Sequence, residues 1–172
     1  FSAHGLFGMS VIVSVVAENT SRVIDIQNIS SDMIRKQIDA VFEDIGTDAV
    51  KIGMLSGEGS MRAVAEKLSE YKAQNIVADP VMYAKNGCPL MDPDSVGALI
   101  DIIIPAADLL TPNIPEAERI AGITIENTED MKKAAAKIHK MGSRNVLVKG
   151  GHLEKEALDI LYDGKDYYYF NS

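Results

Sequence analysis

Apolar residues along the chain fall into short runs that alternate with helical stripes. Met9 to Ala17 reads Met-Ser-Val-Ile-Val-Ser-Val-Val-Ala. This near-continuous β-branched run predicts a strand covered on both faces, as in a parallel sheet. It ends in the polar trio Glu18-Asn19-Thr20. Arg22 to Ile29 alternates Val23, Ile24, Ile26 and Ile29 with polar residues, the pattern of a short exposed strand or ribbon. Ser30 or Ser31 then caps a helix through about Ile45, with Met33, Ile34, Ile38, Val41, Phe42 and Ile45 on one stripe. Strands are expected at Ala49 to Met54, Asn75 to Val81, Asp108 to Thr111 and Asn145 to Lys149. Between them the pattern predicts helices over about Ser60 to Lys72, Asp94 to Ile104, Ile114 to Gly122, and from a Thr128 cap to Gly142. Ala157 to Tyr162 and Tyr167 to Phe170 flank Asp163-Gly164, a hairpin signal. Phe1 to Gly5 reads as the end of a helix stopped by glycine.

Strands that alternate with helices four or five times define an α/β fold. Right-handed crossovers then give a mostly parallel central sheet with helices on both faces, and the final hairpin adds an antiparallel edge. Residues 1–172 are read as one domain. Both ends have the character of the inside of a longer protein, so the expected domain is partial.

In such a sheet, ligands bind at the carboxyl ends of the strands. Polar residues that do not suit a core fall at those ends: Glu18, Asp79, Asn113, Glu116 and Lys149. Asn113 and Glu116 are three apart at a helix N-terminus, where unpaired N–H groups favour negative charge. They form either a capping box or part of a ligand site. Asp79 before Pro80 is either a turn initiator or a carboxylate for a magnesium–water shell. Lys149 before Gly150-Gly151 is either a strand-end lysine or one that reaches a nucleotide phosphate while the glycines admit close approach. Convergence on one rim favours phosphate and magnesium chemistry.

Composition narrows the field. A net charge of −8 disfavours nucleic acid and anionic membrane, which need a basic face. It leaves room for a small anionic substrate held by N–H groups and a lysine. Cys88 is the only cysteine, so there is no internal disulfide and no cysteine zinc site, and a reducing, cytoplasmic compartment fits. No apolar run approaches the roughly 20 residues of a membrane helix.

Five strings in series carry a resemblance: Met9-Ser-Val with Val16-Ala-Glu-Asn-Thr20; Lys51-Ile-Gly-Met-Leu55; Asp79-Pro-Val-Met82 with Ala84-Lys85-x-Gly87; Leu110-Thr-Pro-Asn-x-Pro-Glu-Ala117; and Val148-Lys-Gly-Gly-His-Leu153. Together they resemble the hydroxymethylpyrimidine/phosphomethylpyrimidine kinases of thiamin biosynthesis, members of the ribokinase-like superfamily. The resemblance implies a three-layer sandwich and two successive ATP-dependent phosphorylations, of a pyrimidine alcohol and then of its monophosphate. It implies substrate contacts at Glu18, Met54 and Val81, ATP contacts at Asn113 and Lys149, and Mg2+ organisation at Asp79 and Glu116. It further implies a homodimer, for which the Arg22–Ile29 ribbon is the candidate contact. The family's opening strand and Gly-rich turn are not found here, nor is its Gly-Thr-Gly-Cys anion hole. The catalytic residue is therefore expected in a C-terminal segment beyond this chain, and the chain by itself is expected to be inactive or nearly so. Two other readings stay open: a pyridoxal or pyridoxine kinase of the same superfamily, and a non-catalytic ligand-binding domain.

Overall fold

The computed structural model describes residues 1–84, 87–151 and 158–171. Lys85, His152 and Leu153 of the quoted strings, and Ala157 at the start of the expected hairpin, lie outside the described residues.

Strand β1 (Ser14–Glu18) pairs antiparallel with β2 (Val23–Asn28) in a ribbon of its own. The main sheet has the order β3 (Val50–Ile52), β4 (Ile76–Ala78), β5 (Leu109–Leu110), β6 (Asn145–Val148), β7 (Leu158–Tyr162) and β8 (Tyr167–Asn171). Strands β3 to β6 run parallel, and β7 and β8 add the expected antiparallel edge. A helix or pair of helices makes each parallel crossover, because a tight turn cannot return a strand to a parallel neighbour. Helix α1 (Ser31–Asp44) precedes β3, α2 (Glu58–Glu70) joins β3 to β4, and α3 (Val96–Ala98) lies between β4 and β5. Helices α4 (Ile114–Ala121) and α5 (Thr128–His139) join β5 to β6.

Strand side chains alternate between faces. Ile52, Ala78, Leu110 and Val146 stand in register on one face and are buried. They join one contiguous core with Ile34 and Ile38 of α1, Met61 and Leu68 of α2, Ile120 of α4 and Ile138 of α5. Val77, Leu109, Leu147 and Leu161 take the alternate positions and remain half-buried. Of the two helical layers of a three-layer sandwich, the described residues supply the one over the buried face.

Four expectations need correction. The run from Met9 to Ala17 is not a strand of the main sheet. Only its second half pairs, and Val15 is 54% exposed on the ribbon. Upstream, the Gln37 side chain bonds the Ile12 backbone, donating to its carbonyl and accepting from its N–H, each at 2.9 Å. That satisfies the peptide without a strand partner. Met33 and Ile45 flank the α1 stripe and are exposed, because the helix meets the core through the i,i+4 pair Ile34 and Ile38. The α5 cap is Asn127, whose Oδ1 accepts from the Asp130 N–H at 3.1 Å, and Thr128 is the first helical residue. The helix expected from Asp94 begins as a 3-10 turn at Pro93–Ser95 and widens into π turns over Leu99–Ile103. Ser30 does cap α1, accepting from the Met33 N–H.

Candidate active site

Parallel ladders carry the chain just past several strand ends and fix a rim there. The Asp79 N–H donates to the Ile52 carbonyl at 2.9 Å, and the Thr111 N–H to the Ala78 carbonyl at 2.9 Å. Pro112 has no N–H to give, and its carbonyl accepts from the Lys149 N–H at 2.8 Å. Asn113 and Lys149 are thereby paired in an isolated parallel bridge. Three strands thus set Asp79, Asn113 and Lys149 side by side.

Their side chains meet. Lys149 Nζ donates to Asp79 Oδ1 at 3.0 Å. A second lysine enters from the other side: Lys51 Nζ stands 3.6 Å from Asp79 Oδ2 and donates to the Ile52 carbonyl at 3.2 Å. Asn113 caps α4. Its Oδ1 accepts from the Glu116 N–H at 2.9 Å, and Glu116 Oε2 accepts from the Asn113 N–H at 2.8 Å. The capping box is therefore real. It does not use up Glu116, a carboxyl only 4% exposed. Burial pushes that carboxyl above the usual carboxylate range. The Asn113 N–H and the Lys149 charge pull it back, the Asp79 charge raises it, and the Met82 N–H lowers it. Glu116 is thus coupled to both members of the neighbouring ion pair.

Among the described residues, no group of three or more His, Cys, Asp or Glu could by itself hold a metal ion. Asp79 and Glu116 offer two carboxylates instead. That donor set suits Mg2+, which takes one or two carboxylates together with water and substrate phosphates.

Val81 sits beside Asp79, since its N–H donates to the Asp79 carbonyl at 2.8 Å. Met54 is half-buried just past the end of β3. Glu18 is exposed at the tip of β1, opposite Val23 and beyond a bulge after Ala17. The ribbon carrying it is tied to the rim at its base. Ser14 Oγ and Ser56 Oγ both donate to Asn28 Oδ1, at 2.9 and 2.6 Å. The Asp92 N–H donates to the Ser56 carbonyl at 2.9 Å, so the Tyr83–Pro93 loop ends on the same anchor.

Sequence reasoning missed Lys51, Ser56 and Asn28 as parts of the site. Lys51 left a signal, a lone charge inside the apolar run Ala-Val-Lys-Ile-Gly-Met; Ser56 and Asn28 left none, being 28 residues apart. Gly150 has a different task from the one considered. A Cβ there would lie 1.8 Å from the Leu158 carbonyl oxygen, so the glycine admits β7.

A mixed, mostly parallel sheet with carboxylates and lysines gathered at its carboxyl rim defines an α/β fold of the ribokinase-like class. Solved structures agree. A phosphomethylpyrimidine kinase from Clostridium difficile 630 superposes with a TM-score of 0.92 at 45% identity, over 99% of this chain and 74% of that one. The pyridoxal kinase of Staphylococcus aureus in complex with AMP-PCP and pyridoxal gives 0.81 at 31% identity, over 92% and 58%. The family model described as phosphomethylpyrimidine kinase matches residues 1–172, and the chain belongs to that family. The hydroxymethylpyrimidine/phosphomethylpyrimidine kinase of Bacillus subtilis is 43% identical over 166 residues, covering 95% of this chain and 61% of the relative. The chain spans 34%, 61% and 68% of the length of three such curated relatives.

Proposed function

We propose that this protein phosphorylates 4-amino-5-hydroxymethyl-2-methylpyrimidine and then its monophosphate, with ATP as donor and Mg2+ as the accompanying ion. The observation that carries this reading is the rim cluster, in which Lys149 and the Asp79–Glu116 carboxylates converge at strand ends. Phosphoryl transfer needs positioning and charge neutralisation more than covalent chemistry from the protein. Mg2+ bound with ATP would draw charge from the phosphates; Asp79 and Glu116 would hold it, and Lys149 and Asn113 would orient the nucleotide. Glu18, Met54 and Val81 would form the pyrimidine pocket. No catalytic base is assigned among these residues, so we treat 1–172 as part of one kinase domain whose anion hole lies outside it. A cytoplasmic homodimer joined through the β1–β2 ribbon completes the reading, with Val15 and Ile24, 54% and 61% exposed, as the contact. No described helix is long and apolar enough to cross a membrane.

An ATP-consumption assay on the full-length gene product tests this, with the pyrimidine alcohol, its monophosphate and pyridoxal as acceptors. Turnover of both pyrimidines well above that of pyridoxal is expected. Turnover of pyridoxal alone would transfer the assignment to the pyridoxal kinases, and binding of ATP with no turnover of any acceptor would leave a ligand-binding domain.

A further inference from the structure

Asp79 has two lysines for one carboxylate. Lys149 meets one oxygen from the β6 side and Lys51 approaches the other from β3. The side chains of Lys51, Asp79 and Lys149 are 43%, 25% and 37% exposed, so the three line an open recess. A lysine on an edge strand such as β3 is often only a guard against edge pairing. A guard stays in solvent, however, and Lys51 instead folds along the rim to Asp79 and the Ile52 carbonyl.

The order of the strands separates the two lysines by task. β3 is the strand that leads to Met54 and Ser56, and Ser56 anchors the ribbon bearing Glu18. This is the acceptor side of the recess. β5 and β6 bring Asn113 and Lys149, the donor side. Asp79 on β4 lies between them. When Asp79 is drawn to a metal ion, Lys149 can turn to the nucleotide phosphates, and Lys51 is left as a cation on the acceptor side. The pyrimidine alcohol has no negative charge for it, whereas the monophosphate has.

We propose that Lys51 is the residue that recognises the phosphate carried by the acceptor, and so selects for the second phosphorylation. This rests on the kinase reading above. In that step an anionic oxygen of the acceptor phosphate forms the new bond to the γ-phosphorus. The bond from that phosphorus to the β-bridging oxygen breaks, and ADP leaves with the electron pair. With both phosphates ionised no proton has to move. The obstacle is repulsion between two anions, which a lysine at the acceptor phosphate offsets.

The test compares kcat/KM for the alcohol and for the monophosphate in the full-length gene product and its Lys51→Gln and Lys51→Arg variants. Lys51→Gln is expected to shift selectivity away from the monophosphate by about 10- to 100-fold, the range for one hydrogen bond to a charged group. The loss should appear mainly in the monophosphate KM, with Lys51→Arg recovering most of it. Equal losses for both acceptors, or equal behaviour of the Gln and Arg variants, would overturn the assignment and leave the kinase reading intact. A wild-type protein that turns over neither pyrimidine would remove both.

Discussion

Glu116 shows how one residue serves structure and chemistry at opposing costs. Its carboxylate closes the capping box, yet burial raises its proton affinity. A carboxyl whose folded-state value is raised favours folding below its unfolded value. That advantage is lost as pH rises through the folded value, where the buried group must ionise. Glu116→Gln keeps an oxygen for the Asn113 N–H and removes the charge. The variant is therefore expected to melt higher than wild type above neutral pH and to lose that advantage in mild acid, while phosphoryl transfer falls by about 100-fold or more with its metal-side carboxylate gone. Thermal melts across pH and a rate assay check both halves. A variant that melts lower at every pH would mean that Glu116 is ionised at no cost. The capping spacing was legible in the sequence, but the burial was not, since it comes from the packing of α4 against the core.

At the scale of elements, the ribbon is the piece that packs least. Ile24 and Val15 are apolar and exposed, and a two-stranded ribbon is marginal in water without further cover. A second subunit would supply that cover. Ile24→Lys in the full-length gene product is expected to convert a dimer into a monomer by light scattering, with little change in the far-ultraviolet spectrum. An unchanged mass would place the contact elsewhere. The exposed alternation of Arg22 to Ile29 was readable because its period of two involves only neighbouring residues. The fate of Met9 to Ala17 was not, because β-branched runs look alike whether a long-range partner arrives or not. Here the partner is a ribbon for Ser14–Glu18 and the Gln37 side chain for the stretch before it.

The whole molecule is one core on one side of a sheet. Leu110 is fully buried, and its neighbour Leu109 faces the other, half-covered side. Leu110→Ala is expected to cost about 2–5 kcal/mol, the range for truncating a buried leucine. Leu109→Ala is expected to cost clearly less, because it removes fewer contacts. Urea denaturation of the 172-residue chain measures both. Equal costs would mean that both faces of the sheet are equally covered.

By itself the sequence determined the α/β alternation, the parallel sheet with its antiparallel edge, most helix caps and the rim residues Asp79, Asn113, Glu116 and Lys149. Each is written in local terms: periodicity, a cap three residues before its acceptor, a polar residue where an apolar run stops. Only the tertiary structure decided that Asp79 stands between two lysines, that Ser56 holds the ribbon to the rim, and that Gly150 makes room for β7. These contacts join residues far apart in the chain. They exist because parallel ladders bring separate strand ends together, which no local pattern records.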